Sequence, residues 1–200
     1  MSGASPRKSW RRSANEPVTM MRLFVAVRPP PAVRDALTAA MGGIAGARWQ
    51  DDDQLHLTLR FIGDVDRHTA ADLVTALSAL RHPPIAARLG TLGSFAARGR
   101  PNAVWVGVEP VTALTGLHHK VDQAVVRAGM AADPRAFVPH ITLARLGRSS
   151  GPLGHWLAAP APSGTFAVTG ITLFESILTR AAAVYQPLAE FELTATPPTH

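Results

Sequence analysis

Two short segments of this chain share one pattern, in which a histidine and a threonine are separated by one apolar residue. The first is His56-Leu57-Thr58-Leu59, and the second is His140-Ile141-Thr142-Leu143. Polar and apolar side chains alternate in both segments, which is typical of a half-buried β-strand. On such a strand the apolar side chains point into a core, while the histidine and the threonine project together from the other face. The chain must therefore fold so that each segment covers a core on one side only.

The predicted elements follow the same order in both halves of the chain. The first set is a strand at 22–28, a helix from about 33 to 44 and the first His/Thr strand. The second set is a strand at 103–108, a helix from about 111 to 128 and the second His/Thr strand. Similar length and identical order predict an internal duplication with approximate twofold symmetry. That symmetry places both His/Thr strands at a shared central cleft.

The remaining elements determine the predicted fold class. Strands grouped with a few helices, without a regular βαβ alternation, favour an α+β fold. We expect a bilobal arrangement of two mainly antiparallel sheets with flanking helices. Between the two sets we predict a helix at 67–80, a strand at 85–92 and an Arg-bearing loop at 96–101, and after them a short helix at 153–158 and strands at 165–168, 171–178 and 184–193.

Composition excludes several classes of protein. A chain of 200 residues with 46% hydrophobic content supports one domain with a packed core, which we place at residues 21–193. No apolar run reaches the roughly 18 residues that a membrane span needs, so we expect no membrane partner. The chain has no cysteine, which removes disulfides and thiolate zinc sites and fits a cytoplasmic protein. We expect a monomer.

The two ends of the chain differ in composition from the predicted domain. Residues 1–20 are rich in Ser and basic residues and lack the apolar stretch of a secretory signal, so we predict a disordered basic leader. Residues 194–200 are rich in Pro and Thr, which predicts a flexible tail. The basic side chains of the leader are Arg7, Lys8, Arg11 and Arg12.

Two imidazoles and two hydroxyls facing each other across a cleft form an acid–base pair with hydrogen-bond donors beside it. Histidine suits both proton transfers because its ordinary pKa of about 6.5 allows one neutral and one charged ring near neutral pH. From the residues alone, either histidine serves as acid or as base. A metal site needs three or four ligands at a recognisable spacing, and none accompanies His56 and His140, so we expect neither metal nor cofactor.

The other histidines and the acidic loop carry a weaker signal. His118 and His119 lie in a predicted helix and do not share a face, so we interpret them as solvated or partly packed. The loop at Asp51, Asp52 and Asp53 is interpreted as a solvated turn rather than as a group that orients an imidazole.

Five segments of the chain follow a recognisable order, namely Met21–Ala26, Ala47–Trp49, Leu55–Gly63, Phe137–Arg145 and Leu173–Ser176. Taken together, they resemble the 2H phosphoesterases, and within them the RNA 2′,3′-cyclic phosphodiesterases once named 2′-5′ RNA ligases. The resemblance implies a bilobal fold with both His/Thr motifs lining a central cleft. It also implies metal-independent hydrolysis of a terminal 2′,3′-cyclic phosphate of RNA to a 2′-phosphomonoester.

Roles for individual residues follow from this resemblance. It implies that His56 is the proton donor and His140 the proton acceptor, that Thr58 and Thr142 belong to the catalytic set, and that Arg145 contacts phosphate or nucleotide. Strict alternation gives Arg145 the parity of the buried residues of its strand. It reaches the cleft only if the strand bulges, twists or ends there.

Two aromatic residues near the motifs are further candidates for substrate binding. Phe61 occupies the place of Arg145 in the first copy, and Phe137 precedes the second motif. Each is interpreted as either a packing or a base-stacking residue, and packing is favoured for Phe61. The chain departs from the family pattern in its leader, in its Asp-rich loop and at Phe174, where Tyr is frequent.

Two alternative functions remain open from the sequence. One is an RNA-end binding module that grips the phosphate without turnover. The other is the same chemistry on a small cyclic-phosphate metabolite. Four arginines favour RNA over a small metabolite, namely Arg98, Arg100, Arg145 and Arg148. For RNA, microscopic reversibility allows weak reverse 2′-5′ ligation, which joins a 2′,3′-cyclic end to a 5′ hydroxyl.

Overall fold

A computed structural model describes residues 19–179 and 183–195, so the predicted leader and tail lie almost entirely outside the described residues. A short 3-10 turn at Asp52–Gln54 precedes the first motif. The helices and strands are β1 Met21–Val27, α1 Pro31–Ala39, β2 Arg48–Trp49, β3 Leu57–Val65, α2 Arg67–Ser78, β4 Ile85–Ala97, β5 Arg100–Glu109, α3 Val111–Arg127, β6 His140–Arg145, α4 Gly154–Leu157, β7 Thr165–Val168, β8 Gly170–Leu178 and β9 Ala183–Glu192.

The strands form one continuous antiparallel sheet in the order β7-β4-β5-β6-β3-β1-β8-β9, and β2 also pairs with β6. The predicted α+β class is confirmed. The two predicted sheets are the two arms of this single sheet, because β3 and β6 pair at Leu57 and Ile141. Only that pair joins the two motif strands within the described residues, so the arms share one narrow junction.

The predicted duplication is visible in the pairing of the strands. Each His/Thr strand lies beside the strand that precedes its helix: β3 pairs with β1, and β6 pairs with β5. The next strand outward is β8 on one side and β4 on the other. The two arms therefore repeat one arrangement around the junction.

The helices cover the face of the sheet opposite the polar motif residues. Leu37 of α1 and Leu114, Leu117 and Val121 of α3 are fully buried at helical spacing. Helix α1 ends at Ala39, whereas the spacing predicted a helix to about 44; Gly42 and Gly43 have φ of 121° and 75°, which is incompatible with helix. In the described ranges, no helix is long and apolar enough to cross a membrane.

The predicted Arg-bearing loop is in fact the tip of a long hairpin. Strands β4 and β5 extend to Ala97 and Arg100, which pair with each other. The two residues between them, Arg98 and Gly99, have φ of 53° and 75°. Positive φ at both central positions is the geometry of the tight turns that match the twist of a hairpin. The arginines are therefore held at a defined turn instead of lying in an open loop.

A buried ion-pair network connects the first motif strand to α3. Arg60 of β3 is 8% exposed, and its Nε donates to Asp122 of α3 at 2.7 Å. Its guanidinium also donates to the Ala131 carbonyl at 2.5 Å and lies 3.4 Å from Asp133. Arg60 thereby fixes the segment between α3 and the second motif, which forms one wall of the cleft described below.

We expect Arg60→Met to lower the free energy of unfolding by about 3 kcal/mol, because loss of one partner leaves a buried acid uncompensated. Urea denaturation measures the change. The matched control is Arg22→Met, which removes an exposed pair with Asp64 and should have a much smaller effect. Equal losses in the two variants would show that the Arg60 network does not stabilise the fold.

Candidate active site

The two His/Thr segments come together where the arms of the sheet join. Leu57 and Ile141, the paired residues of the junction, are fully buried. Since paired residues on antiparallel strands lie about 5 Å apart, the polar residues on either side of this pair share the other face of the sheet. They line a cleft of about 400 Å³, in which each is half-buried; the four are His56, Thr58, His140 and Thr142.

Each motif strand contains one extra residue directly after its threonine. The register of β3 against β1 skips Leu59, and the register of β6 against β5 skips Leu143. Such a bulge inverts the alternation of faces beyond it. Arg145 therefore faces the cleft and lines it. Strict alternation without the bulge would have placed its side chain on the core side.

The bulge of β3 has the same effect on Phe61. Its ring lines the cleft, is 44% exposed and lies 5.6 Å from the ring of Phe24. Phe61 thus contacts a core aromatic side chain on one side while much of its surface remains accessible to a ligand.

Both catalytic candidates are anchored in the same way. Nδ1 of His56 lies 2.7 Å from the Gln54 carbonyl, and Nδ1 of His140 lies 2.6 Å from the Val138 carbonyl. A carbonyl oxygen only accepts hydrogen bonds, so Nδ1 carries the proton in both rings. In each neutral imidazole Nε2 is then the unprotonated nitrogen, which can accept a proton or, once charged, donate one.

The environment of the cleft favours neutral imidazoles. Burial lowers the pKa of His56 from its ordinary 6.5 to about 4, and its hydrogen bond to Gln54 opposes this effect. The Arg145 guanidinium, and His140 when that ring is protonated, lower the pKa further. Burial likewise lowers the pKa of His140, and Arg145 adds to this effect. Without a bound anion, both rings are therefore uncharged at neutral pH.

Aromatic side chains flank each histidine in corresponding places. The ring of His56 lies 5.0 Å from Phe24 and 5.1 Å from Tyr185. The ring of His140 lies 4.7 Å from Phe95 and 5.8 Å from Trp105. These rings supply the burial that lowers both pKa values, and they restrict the rotation of each imidazole.

His118 differs from its interpretation as a solvated or partly packed residue. It is 7% exposed, its Nδ1 lies 2.7 Å from the Leu59 carbonyl, and its ring stacks on Phe137 at 4.3 Å with parallel planes. The bulge at Leu59 provides this carbonyl. Both rings line the cleft, so Phe137 is held in place as part of the wall.

Several residues of the cleft carried no motif signal in the sequence. Tyr185 is the single tyrosine of the chain and lies on β9, where polar and apolar residues are mixed. Its uniqueness was the one signal in the sequence that could have marked it as a site residue. Arg135 is bound by both oxygens of Asp133, and its hydrogen bonds hold the pKa of that acid at about 2. The unpredicted lining residues include Gln50, Gln54, Phe95, Arg135 and Tyr185.

The acidic loop does not reach either imidazole. Asp52 pairs with Arg28 and Arg34, and Asp53 pairs with Arg28, so its carboxylates are engaged at the surface. Across residues 19–179 and 183–195, the structure places no three His, Asp or Glu side chains together where they could hold a metal ion.

The sequence model of the family described as LigT-like phosphoesterase matches this chain twice, at residues 27–105 and 106–185. The first match contains the first His/Thr motif and the second contains the other. The chain belongs to this family. The resemblance to 2H phosphoesterases is thus confirmed, and the two matches agree with the duplicated arrangement of strands.

Two relatives carry the name RNA 2′,3′-cyclic phosphodiesterase. The protein of Geobacillus stearothermophilus is 30% identical over 182 residues, which cover 87% of this chain and 58% of that protein. The protein of Escherichia coli K12 is 30% identical over 179 residues, which cover 86% of this chain and 97% of that protein. The chain thus spans little more than half of the first relative and nearly all of the second.

A solved structure has the same architecture. E. coli LigT in complex with 3′-AMP matches with a TM-score of 0.74 and 28% sequence identity, covering 88% of this chain and 99% of that one. The family fold therefore extends over nearly the whole of the described residues.

The depressed pKa of His56 predicts a pH-dependent stability. The unfolded chain binds a proton on His56 at higher pH than the native protein does, so stability present above pH 6.5 is lost as the pH falls towards 4. We expect the free energy of unfolding, measured by urea denaturation, to fall by about 3 kcal/mol over this range. In His56→Gln the fall should be smaller. NMR titration of the imidazole checks the cause directly; a midpoint at or above 6.5 for His56 would contradict it.

Gly93 makes room for the aromatic wall beside His140. A Cβ at this position would overlap the indole of Trp105, so we expect Gly93→Ala to displace the indole and cost about 1–3 kcal/mol. Because burial lowers the pKa of His140, that pKa should rise in the variant, as NMR titration would measure. Gly116→Ala is the control, since its Cβ meets nothing nearer than 3.6 Å and Gly116 does not line the cleft; the same rise in both variants would refute the explanation.

Proposed function

We propose that this protein hydrolyses 2′,3′-cyclic phosphodiester ends of RNA to 2′-phosphomonoesters without a metal ion, with His56 and His140 as general acid and base. The observation that carries the proposal is the shared anchoring of the two rings. Each donates its Nδ1 proton to a backbone carbonyl, so each has Nε2 as its reactive nitrogen beside the same cleft.

The reaction requires one proton to be removed and one to be added. Nε2 of His140 accepts a proton from water as the water oxygen forms a bond to phosphorus. The bond between phosphorus and the 3′ oxygen breaks, and the Nε2 proton of His56 passes to that oxygen. The products are a 2′-phosphomonoester and a free 3′ hydroxyl. The direction, with His56 as acid, rests on the resemblance to the family.

Stabilisation of charge is the second requirement. The non-bridging oxygens gain negative charge in the five-coordinate transition state, and hydroxyl or cationic donors beside them stabilise it. Thr58, Thr142 and Arg145 line the same cleft and are assigned this role. Their geometry follows from the bulges, which bring the arginine to the same face as the threonines.

The low pKa of His56 places a condition on this mechanism. An acid must be protonated before it donates, yet His56 is neutral in the empty cleft because its pKa is about 4. The negative charge of a bound phosphodiester favours the charged imidazole and raises its pKa. Binding of substrate is therefore coupled to uptake of a proton, and the acid is charged only when its substrate is present.

The relatives support the choice of substrate. Both relatives described above are named RNA 2′,3′-cyclic phosphodiesterases, and the matching E. coli structure was determined with 3′-AMP bound. A nucleotide phosphate is thus a ligand of one protein with this fold. The cleft here offers the imidazole, hydroxyl and guanidinium groups that such a ligand needs.

The test is to incubate the protein, in EDTA, with a short RNA that ends in a 2′,3′-cyclic phosphate, and to separate 2′- from 3′-phosphate products. We expect the 2′-phosphate to accumulate. His56→Ala and His140→Ala should each lower kcat by about 10²–10⁴, since each removes one proton transfer. His119→Ala, at an exposed position of α3, is the matched control.

Each other outcome changes a specific part of the proposal. Near-normal turnover in either active-site variant would refute the acid–base roles. A 3′-phosphate product would retain the pair but reverse which oxygen leaves. Binding of the RNA end without any product would favour an RNA-end binding module. Turnover of small cyclic phosphates but not of RNA would favour a small cyclic-phosphate metabolite as the substrate. Incubation with a 5′-hydroxyl RNA would reveal reverse 2′-5′ ligation.

A further inference from the structure

Negative charge is absent from long parts of one arm of the sheet. No Asp or Glu occurs in residues 73–108 or in residues 134–174. The fold brings these two stretches together, because they contain β4, most of β5, β6 and β7, which are neighbours in one arm. The carboxylates of the acidic loop (Asp51, Asp52 and Asp53) and of the region from β3 to α2 belong to the other arm. The arm that carries the second motif is therefore strongly cationic.

The arginines of the described residues differ in their partners. Six are paired with carboxylates, namely Arg22, Arg28, Arg34, Arg60, Arg88 and Arg135. A second group has neither an ion pair nor a side-chain hydrogen bond to any of the described residues. Five members of that group cluster around the end of β6 and the β4–β5 hairpin, namely Arg48, Arg98, Arg100, Arg145 and Arg148.

Two members of this cluster lie directly opposite each other. Arg48 of β2 pairs with Arg145 of β6, so their side chains leave the same face of the sheet. Both are exposed. Like charges at such a position are destabilising, and a bound anion would relieve the repulsion. Because Arg145 also lines the cleft, the pair lies at its mouth.

The other three arginines line a groove that begins next to Arg145. Arg98, Arg100 and Arg148 surround it together with Leu146. Leu146 directly follows Arg145, and its N–H donates to the Asn102 carbonyl at 2.9 Å, which fixes the end of β6 against the hairpin. The groove therefore lies next to the cleft along the chain, with Arg145 lining the cleft and Leu146 lining the groove.

We propose that Arg48, Arg145, Arg148, Arg100 and Arg98 form a track that binds the phosphodiester backbone of the RNA strand leading to the cyclic phosphate. The inference rests on the proposed function and makes it more specific, since it assigns oligonucleotides rather than mononucleotides as preferred substrates. The contacts are to phosphates, so binding is independent of base sequence.

The length of the track favours a strand over a small metabolite. Arg145 of β6 pairs with Ala103 of β5. Arg100, the first residue of β5, lies three residues before Ala103. At about 3.3 Å per residue, these positions are roughly 10 Å apart along β5. A ligand with one phosphate, held at the histidines, does not reach that far. A chain with a phosphate at every nucleotide does.

The first experiment compares kcat/KM for 2′,3′-cyclic AMP with kcat/KM for an octanucleotide that ends in the same cyclic nucleotide. The quantity of interest is the ratio of the two. We expect Arg100→Gln/Arg148→Gln to lower the ratio of octanucleotide to mononucleotide about tenfold. The control is Arg67→Gln/Arg127→Gln, which removes two exposed arginines on α2 and α3 and should leave the ratio unchanged.

Salt dependence gives an independent measure of the same contacts. For a single strand the slope of log affinity against log salt is about −0.7 for each phosphate neutralised. The double track variant should therefore have a slope shallower by about 1.4 for the octanucleotide. An unchanged ratio and slope, or equal changes in the control variant, would overturn the proposal.

Binding measurements separate the track from the chemistry. The probe is a fluorescent octanucleotide with a linear 2′-phosphate end, which needs no turnover, and anisotropy reports its affinity. If the wild-type protein hydrolyses neither cyclic substrate, the proposed function fails, yet weaker binding in the track variant alone still supports the track. Equal affinity in wild type, track variant and control would overturn the track whether or not hydrolysis occurs.

Discussion

The candidate active site depends on one contact between two halves of a sheet. Leu57 and Ile141 form the single pair between the motif strands in the described residues, and both are fully buried. This contact fixes the separation of the two histidines, which lie one residue before each member of the pair. A narrow junction lets the arms diverge beyond it, and the space between them is the cleft. The symmetry of the duplicated arms makes both motifs contribute the same groups.

Two local features orient the side chains at this junction. Bulges at Leu59 and Leu143 turn the residues beyond them onto the cleft face, and backbone carbonyls fix both imidazoles in one tautomer. Positions fixed before substrate arrives reduce the reorganisation needed in the transition state. The same enclosure favours neutral imidazoles. In the proposed mechanism, the charge of the substrate makes the acid available, which links binding to catalysis.

Much of the architecture was predictable because the local signals agree with the final fold. The alternation around His56 and His140, the helical spacing of α2 and α3, and the repeated order of elements gave the α+β class and placed the motifs together. The errors have physical reasons. Glycines with positive φ end α1 early, and a tight turn at Arg98 makes the predicted loop the tip of a hairpin. His118 is buried because its ring is hydrogen-bonded to the Leu59 carbonyl, at the bulge of β3.

By itself, the sequence determined which residues could perform the chemistry, because His-x-Thr on an alternating strand projects both groups to one face. It also determined the charge asymmetry, since two long stretches contain no acid. Only the tertiary structure decided that Arg145 faces the cleft, because a register shift is set by pairing with β5 and not by local alternation. It alone brought Tyr185 to His56 and Phe95 to His140, as contacts between distant strands leave no periodic signal in the chain.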